Sequence, residues 1–364
     1  MNSNRTLIIL LVVTVIAVLA AAVVVVQQQA SVTSEIERTA LFPDLDEEIG
    51  SVVALTVRSA EGEVVVRRAE AGWVVPAKHD YPADRARVRE VLLALTRMEA
   101  VEPKTAQPEL YERLGVSDPD RPGSRATLLS LRDAAGGTIA ALLIGDRAPA
   151  RGVYGRDRTG VDGRAYVRKA GDAQSWLALG VPDISADPDQ WIDHNLLTLP
   201  RERIRRITIS HPDGSTVRLF RDSPGEENFT IADLPRGRRA KTGMGPESTA
   251  AALSFLSFDD VKPAEDVDWS GATRTVYTAF DGLELTIRIK DGWAAFEAAY
   301  RIEVAEEGEG TVVLPSSPPD GEAEARRLNA RYGGWAYKLP AYKVDDLTPT
   351  MDDLTEPAEN EAES

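Results

Sequence analysis

Cysteine is absent from this 364-residue chain, and histidine occurs only three times. Without cysteine the chain forms no disulfide, has no thiol nucleophile and has no residue to carry the lipid of a lipoprotein. The histidines, His79, His194 and His211, stand in unrelated contexts without HxxxH or HxH spacing, whereas zinc needs several converging ligands. We therefore expect surface or locally bonded histidines, and neither a metal ion nor any other cofactor.

Motifs of common catalytic and ligand-binding sites are missing too. The chain has no G-x-S-x-G elbow and no S-x-x-K pair. Residues 266–277 imitate the start of a calcium loop, but Tyr277 stands where a bidentate glutamate is needed, which favours a turn. RGRRAKTG (236–243) has Ala240 where a phosphate loop has glycine before its lysine, so we expect no nucleotide. The sequence therefore predicts a protein without catalytic residues.

Positive charge is in short supply. The chain has 58 acidic and 42 basic residues, and its formal net charge is −16. Such a body repels phosphate backbones, which argues against nucleic acid as a partner. One stretch reverses the sign, because Arg236, Arg238, Arg239 and Lys241 cluster within a few residues. Either this stretch is a solvated loop, or it contacts an acidic partner or an envelope polymer.

Against this polar background, residues 6–26 (TLIILLVVTVIAVLAAAVVVV) contain no charged side chain. A helix of this length covers about 30 Å, the thickness of a bilayer's hydrocarbon core. The alternative is a cleaved signal peptide, whose apolar region has about 7–15 residues and needs a small residue before the cleavage point. Gln28 stands there instead. The run therefore predicts an uncleaved transmembrane signal anchor in the inner membrane.

Flanking charges predict the orientation of this anchor. Arg5 precedes the run, and the next cation after it is Arg38. The positive-inside rule then leaves residues 1–5 as a cytoplasmic stub and exports the rest. We expect a single-pass inner (cytoplasmic) membrane protein with a cytoplasmic N-terminus, an acidic stalk at 27–48 and the bulk of the chain in the periplasm.

The part after the stalk repeats one order of elements twice. VVALTVRSAEGEVVVRRAEAGWVV (52–75) and IRRITISHPDGSTVRLFRDSPGEENFTI (204–231) both alternate apolar and polar residues around a glycine-bearing turn. That pattern is typical of a β-hairpin followed by a third strand. We predict an α+β fold with two tandem, duplicated, mostly antiparallel sheet domains, 49–199 and 200–355, each with one main covering helix, and a disordered acidic tail at 356–364. Chance similarity is the alternative, because a hairpin followed by a helix is common.

The two predicted helices differ in their apolar stripes at helical spacing. The first stripe consists of Val88, Val91, Leu92, Leu95 and Met98, and the second, which follows Pro246, consists of Ala250, Leu253 and Leu256. Ser254 and Ser257 interrupt the second stripe, so we expect a shorter or less buried helix there. Each repeat should close with a short helix, at 187–197 and 345–354.

Several motifs together resemble a known family. GWVVPAKHDYPAD (72–84), EPKTAQPELYERLGVSDP (102–119) and the ending W-A-Y-K-L-P-x-Y-K (335–343) are similar to the bacterial DUF4340 family, a domain of unknown function. The resemblance implies a membrane-anchored auxiliary protein that acts beside ABC transport systems of the gliding-motility type. It implies no catalytic residues, since the family has none established.

Two functional hypotheses follow. The first is a non-catalytic, membrane-anchored periplasmic auxiliary or interaction subunit of an envelope ABC transport complex, with a protein partner in that complex. The alternative is an envelope hydrolase or polymer-binding protein with its site in the cleft between the two repeats, since clefts between domains often bind ligands. A deep pocket with converging carboxylates of raised pKa would favour the alternative.

Overall fold

The structure, a computed structural model, describes residues 38–148, 163–242, 245–301 and 321–358. The elements up to residue 199 are β1 Thr39–Ala40, α1 Leu45–Glu48, β2 Ala54–Ser59, β3 Gly62–Ala69, β4 Gly72–Val75, β5 Tyr81–Pro82, α2 Arg85–Arg97, β6 Glu99–Pro103, α3 Tyr111–Leu114, β7 Thr127–Arg132, β8 Thr138–Arg147, β9 Ala165–Lys169, β10 Ser175–Leu179 and β11 Asn195–Leu197. The later elements are β12 Ile204–Ser210, β13 Thr216–Phe220, β14 Thr230–Ile231, β15 Arg238–Ala240, α4 Pro246–Ala251, β16 Leu256–Ser257, β17 Asp260–Pro263, β18 Thr273–Ala279, β19 Leu283–Lys290, β20 Trp293–Tyr300, α5 Gly321–Tyr332, β21 Trp335–Lys338, α6 Ala341–Leu347, α7 Met351–Leu354 and β22 Thr355–Pro357. Short 3₁₀ turns lie at Ile49–Ser51, Pro76–Lys78, Pro108–Leu110, Pro188–Trp191, Arg201–Arg203 and Ala264–Asp266.

The described chain is mostly antiparallel sheet with few helices. A ten-stranded sheet has the order β1-β6-β10-β9-β8-β7-β2-β3-β4-β5, and an eight-stranded sheet has the order β14-β13-β12-β18-β19-β20-β21-β17. Two small sheets pair β11 with β16 and β15 with β22. Because neighbouring strands run antiparallel, short turns can join them without crossover helices.

The two large sheets share one strand order. Without its outermost strands the first reads β4-β3-β2-β7-β8-β9-β10-β6, and the second reads β14-β13-β12-β18-β19-β20-β21-β17. When the strands of each sheet are numbered in the order in which they occur along the chain, the two spatial orders are identical. The main helix α2 and the short helix α4 also fall between corresponding strands. This is the order that the predicted duplication requires, while the duplication itself stays a prediction.

The chain divides into two compact units, Met1–Val64 with Ala86–Asp187 and Val65–Arg85 with Pro188–Ser364. Strand β3 begins in the first unit and ends in the second. Residues 65–85 therefore group with the later part of the chain, although the sequence repeats were assigned to 49–199 and 200–355.

The core of the first unit follows from local periodicity. In β2, Leu55 and Val57 are fully buried and alternate with more exposed residues. In α2, Val88, Val91 and Leu95 are buried at helical spacing. Each such side chain contributes roughly 1.5–3 kcal/mol when removed from water. The predicted stripe of α2 is thus its buried face, although Leu92 at its edge is only partly covered.

The core of the second unit is built in the same way. Across the hairpin β12–β13, Ile207 pairs with Leu219 and Ile209 with Val217, and all four side chains are buried. Helix α4 has 6 residues against 13 in α2, which confirms the expectation of a shorter second helix.

Several segments differ from their sequence-based assignment. Residues 39–48, assigned to the stalk, contain β1 and α1 and bury Leu41 and Leu45. The segment 187–197 forms a 3₁₀ turn and strand β11, because that strand pairs with β16. Helix α5 was not predicted, since its polar sequence offers only a few buried positions, among them Ala325 and Tyr332.

The predicted fold class is corrected in its transmembrane part. No helix among the described residues is long and apolar enough to cross a membrane. Helix α2 has 13 residues, which is about 20 Å of helix against about 30 Å of hydrocarbon core. The predicted anchor at 6–26 and the stub at 1–5 lie outside the described residues. Neither the anchor, nor the binding to the inner membrane, nor the single-pass location with a periplasmic body is retained.

Candidate functional site

A turn with an unusual backbone follows β4. After the 3₁₀ turn Pro76–Lys78, His79 and Asp80 both adopt left-handed conformations, with φ of 58° and 62°. This conformation costs a non-glycine residue about 1–2 kcal/mol. The N–H groups of His79 and Asp80 donate to the carbonyls of Pro76 and Val75, each at 3.1 Å. The turn is therefore closed locally and sets the position of Lys78.

Lys78 lies between two carboxylates of the second unit. Its Nζ is 2.7 Å from Oδ1 of Asp189 and 2.9 Å from Oδ1 of Asp260, and its side chain is 14% exposed. Burial acts to lower the pKa of Lys78, but the hydrogen bonds and charges of both carboxylates outweigh it, and the pKa is raised. Burial acts to raise the pKa of Asp260, but the hydrogen bonds from Lys78 and from the Val261 backbone hold it below its usual value. We call Lys78, Asp189 and Asp260 the Lys78 clamp.

His194 connects the segments that carry the two carboxylates. Its Nδ1 is 2.8 Å from the carbonyl oxygen of Phe258, and its Nε2 is 3.1 Å from the carbonyl oxygen of Asp189. The rings of His194 and Phe258 lie 4.9 Å apart. The ring nitrogens thus contact a backbone carbonyl of the Asp189 segment and one of the segment that carries Asp260.

Aromatic side chains pack beside the clamp. The ring of Tyr81 meets those of Trp335, Phe258 and Tyr337 edge-on, at centroid distances of 4.9, 5.8 and 6.1 Å. Such pairs contribute about 0.5–1.5 kcal/mol beyond their buried area. Burial raises the pKa of Tyr81 and of Tyr337, so both phenols stay neutral. Tyr81 and Lys78 together attach residues 65–85 to the rest of the second unit.

The directions of the pKa shifts indicate what this cluster can do. A general acid or base needs a pKa near the working pH, and a lysine nucleophile needs a lowered pKa. Here the pKa of Lys78 is raised and that of Asp260 is lowered. Both groups stay charged around neutral pH, which suits an ion-pair clamp. Within the described ranges, no cluster of histidine, aspartate and glutamate side chains could hold a metal ion.

The predicted cation cluster forms a short strand and its flanks, which we call the basic strand (β15 with Arg236 and Lys241). The guanidinium of Arg238 is 3.1 Å from Oδ1 of Asp352, and that of Arg239 is 3.1 Å from Oε1 of Glu356. Arg236 is exposed. The chain's own acidic C-terminal segment therefore contacts the residues that the sequence suggested for an acidic partner.

Two large aromatic side chains of the second unit are exposed. Phe255 follows α4 and is 82% exposed, and Tyr342 lies in α6 and is 60% exposed. The amine of Lys343 donates to the carbonyl of Ala252 at 2.8 Å and so ties α6 to the end of α4. Both aromatics thus project from elements that are joined to each other.

Two cavities of the first unit share Ser124 and Arg125 in their walls, with volumes of about 290 and 390 Å³. Arg125 donates to Oδ2 of Asp146 at 2.7 Å, a hydrogen bond that raises the pKa of the guanidinium. Ser124 Oγ donates to the carbonyl of Ser117 at 3.0 Å. The protein's own groups therefore engage both wall residues, which gives them a structural role.

The family described as a domain of unknown function, DUF4340, matches residues 73–272. The match covers more than half of the chain. The chain belongs to the DUF4340 family. No curated protein and no solved structure matches the chain.

The DUF4340 match covers only some of the residues that form these sites. Lys78, Asp189 and Asp260 lie inside it, as do the basic strand and Phe255. Helices α5 to α7 and strand β22 lie beyond residue 272, where the match ends. The basic strand and the C-terminal segment that contacts it therefore fall on opposite sides of that limit.

Sequence reasoning missed the Lys78 clamp of this DUF4340 protein. The motif PAKHDYPAD carries part of the family resemblance, and it also contains both Lys78 and the left-handed pair His79 and Asp80. A proline-bearing turn between two short extended segments was a usable signal. No sequence signal marks Asp189 and Asp260 as the partners of Lys78, because each is one of 58 acidic residues.

Proposed function

We propose that this DUF4340 protein is a non-catalytic interaction subunit that serves as an auxiliary component of an ABC transport complex. The observation that carries the interaction role is the exposure of Phe255 and Tyr342 (82% and 60%) on the second unit. Aromatic side chains contribute most of the binding energy at many protein interfaces, because they offer large contact areas at low conformational cost. Left in water on an acidic protein, two of them are suited to contact another chain.

The two aromatics are presented on a fixed base. Lys343 is buried, and its amine bonds to the Ala252 carbonyl. Burial lowers the pKa of Lys343, against the opposing charge of Asp346. An interface built on elements already joined in the free protein loses less conformational entropy on binding.

Charge around Tyr342 indicates the chemistry of the partner. Asp345 follows Tyr342 by three positions, so both lie on one face of α6, and both are exposed. The whole chain has a net charge of −16. The complementary partner is a subunit with an apolar pocket rimmed by lysine or arginine, and opposite charges of this kind accelerate association.

Two further observations support the proposal. In the Lys78 clamp the pKa of Lys78 is raised and that of Asp260 is lowered, so both move away from neutral pH. Such shifts are typical of a structural ion pair, whereas an acid–base catalyst needs a pKa near neutral pH. The assignment to ABC transport is supported by the resemblance to DUF4340 proteins alone.

Co-purification with a double substitution tests the proposal. The full chain is tagged and recovered from gently solubilised cells as wild type and as Phe255→Ala with Tyr342→Ala, and the ABC transporter subunits in each eluate are quantified. We expect the double variant to recover them about tenfold less, which corresponds to about 1.4 kcal/mol of binding free energy. The matched control is Leu234→Ala, since Leu234 is an apolar side chain of the same unit that is 41% exposed.

Either of two results would contradict the proposal. One is wild-type protein that brings no ABC transporter subunit with it. The other is a double variant that recovers as much transporter as the wild type and the Leu234→Ala control.

A further inference from the structure

The basic strand offers one edge for pairing, and a single short strand, β22, pairs with it. In the part of the chain that the structure describes, β15 pairs with β22 alone, in a sheet separate from the eight-stranded one. The register places Arg239 opposite Glu356. One residue beyond this ladder, the N–H of Lys241 donates to the carbonyl of Leu354 at 2.9 Å. The occupant is thus recognised through its extended backbone, as in β-strand addition between proteins.

The side chains of the basic strand recognise acidic groups at defined positions. Arg239 pairs with Glu356 and Arg238 with Asp352, each at 3.1 Å. The amine of Lys241 donates to the carbonyl of Asp352 at 3.1 Å. Three cations therefore contact one segment, and the ion pairs specify one acidic residue within the ladder, Glu356, and one before it, Asp352.

The occupant is held by two buried residues and by exposed ion pairs. Leu354 and Thr355 are each 1% exposed, and Thr355 Oγ1 accepts a hydrogen bond of 2.6 Å from Nε of Arg238. In contrast, the side chains of Asp352 and Arg239 are 85% and 47% exposed. Exposed ion pairs stabilise little and are screened by salt. The attachment depends mainly on two side chains and a three-residue ladder, which a competing strand could replace.

The basic strand and the segment paired with it differ in charge and in their position relative to the DUF4340 match. The basic strand lies within the DUF4340 match, and residues 351–357 lie beyond it. On a chain with a net charge of −16, three adjacent cations on one sheet edge attract an acidic strand and repel a basic one.

We propose that the basic strand is a docking site for an extended acidic segment of a partner protein. The chain's own residues 351–357, which we call the strap, occupy this site until the partner's segment displaces them. The partner segment carries a leucine-sized anchor, then a small residue, then an acidic residue, as the strap does at Leu354, Thr355 and Glu356. The site consists of residues other than Phe255 and Tyr342, so the inference goes beyond the proposed function and does not depend on it.

A tethered occupant lowers the apparent affinity for any free competitor. A segment attached to the same chain competes at an effective concentration of about millimolar. The free protein should therefore bind an added strap peptide weakly, and loosening the strap should reveal the affinity of the site.

Fluorescence anisotropy with a labelled strap peptide tests the proposal. The probe is a fluorescein-labelled peptide of residues 349–358, and the control is a scrambled peptide of the same composition. Both are titrated with the full chain as wild type and as Leu354→Asp, which places a charge at the buried anchor. We expect Leu354→Asp to bind the probe at least about tenfold more tightly than the wild type, because the intramolecular competitor is weakened.

Charge reversal tests the specificity of the site. Adding Arg239→Glu to Leu354→Asp should weaken binding of the probe, because like charges then lie opposite each other in the ladder, and a peptide with Glu356→Lys should restore it. The control reversal is Arg326→Glu, at an arginine of α5 whose side chain is 67% exposed, which should leave binding unchanged. The proposal is overturned if Leu354→Asp binds neither peptide, if the wild type binds as tightly as Leu354→Asp, or if Arg239→Glu has no effect.

Hydrogen exchange gives a second reading if Leu354→Asp does not fold. Glu356→Lys keeps the buried anchor and reverses one exposed charge, so it should fold and weaken the strap alone. We expect faster amide exchange at residues 238–241 and 355–357, with the hairpin β12–β13 unchanged. Equal exchange of the wild type and Glu356→Lys at residues 238–241 would also overturn the proposal.

Discussion

Lys78 and Arg221 are two cationic side chains that are largely shielded from solvent, and each is stabilised in a different way. Lys78 is paired with two carboxylates, whereas Arg221, 2% exposed, donates to the backbone carbonyls of Ile204 and Glu226, each at 2.6 Å. Burial lowers the pKa of Arg221, and its guanidinium lies 4.5 Å from the ring of Phe229. Carbonyl oxygens satisfy the donors of an arginine without an opposite charge. Both residues are structural, and neither arrangement follows from the residue's sequence neighbours.

The first prediction concerns Lys78→Met. Removal of the amine leaves Asp189 and Asp260 without their cation, so we expect a loss of roughly 1–3 kcal/mol in the free energy of unfolding. This is less than the 3–5 kcal/mol of a fully buried pair, because the Asp260 side chain is 50% exposed. Urea denaturation measures the change. The control is Arg326→Met, an exposed pair with Glu322, which should change stability by less than about 0.5 kcal/mol.

The pH dependence of this loss can be derived from the pKa shifts. Asp260 has a lowered pKa in the folded state, so its contribution is present above its unfolded pKa of about 3.9 and fades as pH falls through the folded value. Lys78 has a raised pKa, so its contribution is present below about pH 10.4 and fades as pH rises beyond that. The stability gap between the wild type and Lys78→Met should be constant around neutral pH and narrow in acid. A gap that widens in acid would refute the clamp.

Among the elements, strand β8 and the turn after α3 approach each other so closely that one position excludes a side chain. Gly115 has a left-handed φ of 68° and ends α3. A methyl group at Gly145 would lie 2.2 Å from the carbonyl oxygen of Leu114, a backbone atom that cannot move aside alone. The φ of Gly145 is not positive, so space and not backbone conformation requires glycine there.

The second prediction is that Gly145→Ala lowers the stability of the first unit. Forcing β8 and α3 apart should cost about 1–3 kcal/mol, as overpacking does elsewhere. Gly62→Ala is the matched control, because a methyl group there would meet no atom within 4 Å and its φ is also not positive. Thermal unfolding followed by circular dichroism compares the two. Equal melting temperatures would show that the close approach relaxes without cost.

On the scale of the whole molecule, the features that stand out are the repeated strand order and the excess of negative charge. In each large sheet a hairpin has its third strand on one side and the remaining matched strands, in the same order, on the other. A period-two pattern and a glycine-bearing turn are enough to keep a hairpin while side chains change, so a duplicated fold can outlast sequence identity. The net charge of −16 adds a self-repulsion that both units share.

The third prediction concerns this self-repulsion. Raising the ionic strength from about 0.01 to about 0.15 M shortens the Debye length from about 30 to about 8 Å, so the melting temperature at neutral pH should rise. Exposed ion pairs are weakened by the same salt, but their typical contribution is about 0–1 kcal/mol each. Differential scanning calorimetry measures the shift. The rise should vanish in mild acid, where the net charge is small, and a fall at neutral pH would show that ion pairs outweigh repulsion.

Local sequence determined much of the secondary structure. The alternation in 52–75 and 204–231 predicted the hairpins β2–β3 and β12–β13, and the stripe at 88–98 predicted the buried face of α2. These features can be predicted because strand and helix periods are properties of neighbouring residues. The motifs at 72–84 and 102–119 likewise sufficed for the DUF4340 resemblance.

Tertiary structure decided which distant residues meet. Lys78 finds Asp260 182 positions away, and Arg238 finds Thr355 117 positions away. Since charged residues are frequent in this chain, composition cannot select one carboxylate as the partner of a given cation. The apolar run at 6–26 predicted a transmembrane helix, but it lies outside the described residues, and no helix among those residues is long and apolar enough to cross a membrane. The sequence by itself therefore determined the hairpins, the main helix and the family. Only the tertiary structure decided the Lys78 clamp and the strap, because both depend on residues that are far apart along the chain and are brought together by folding.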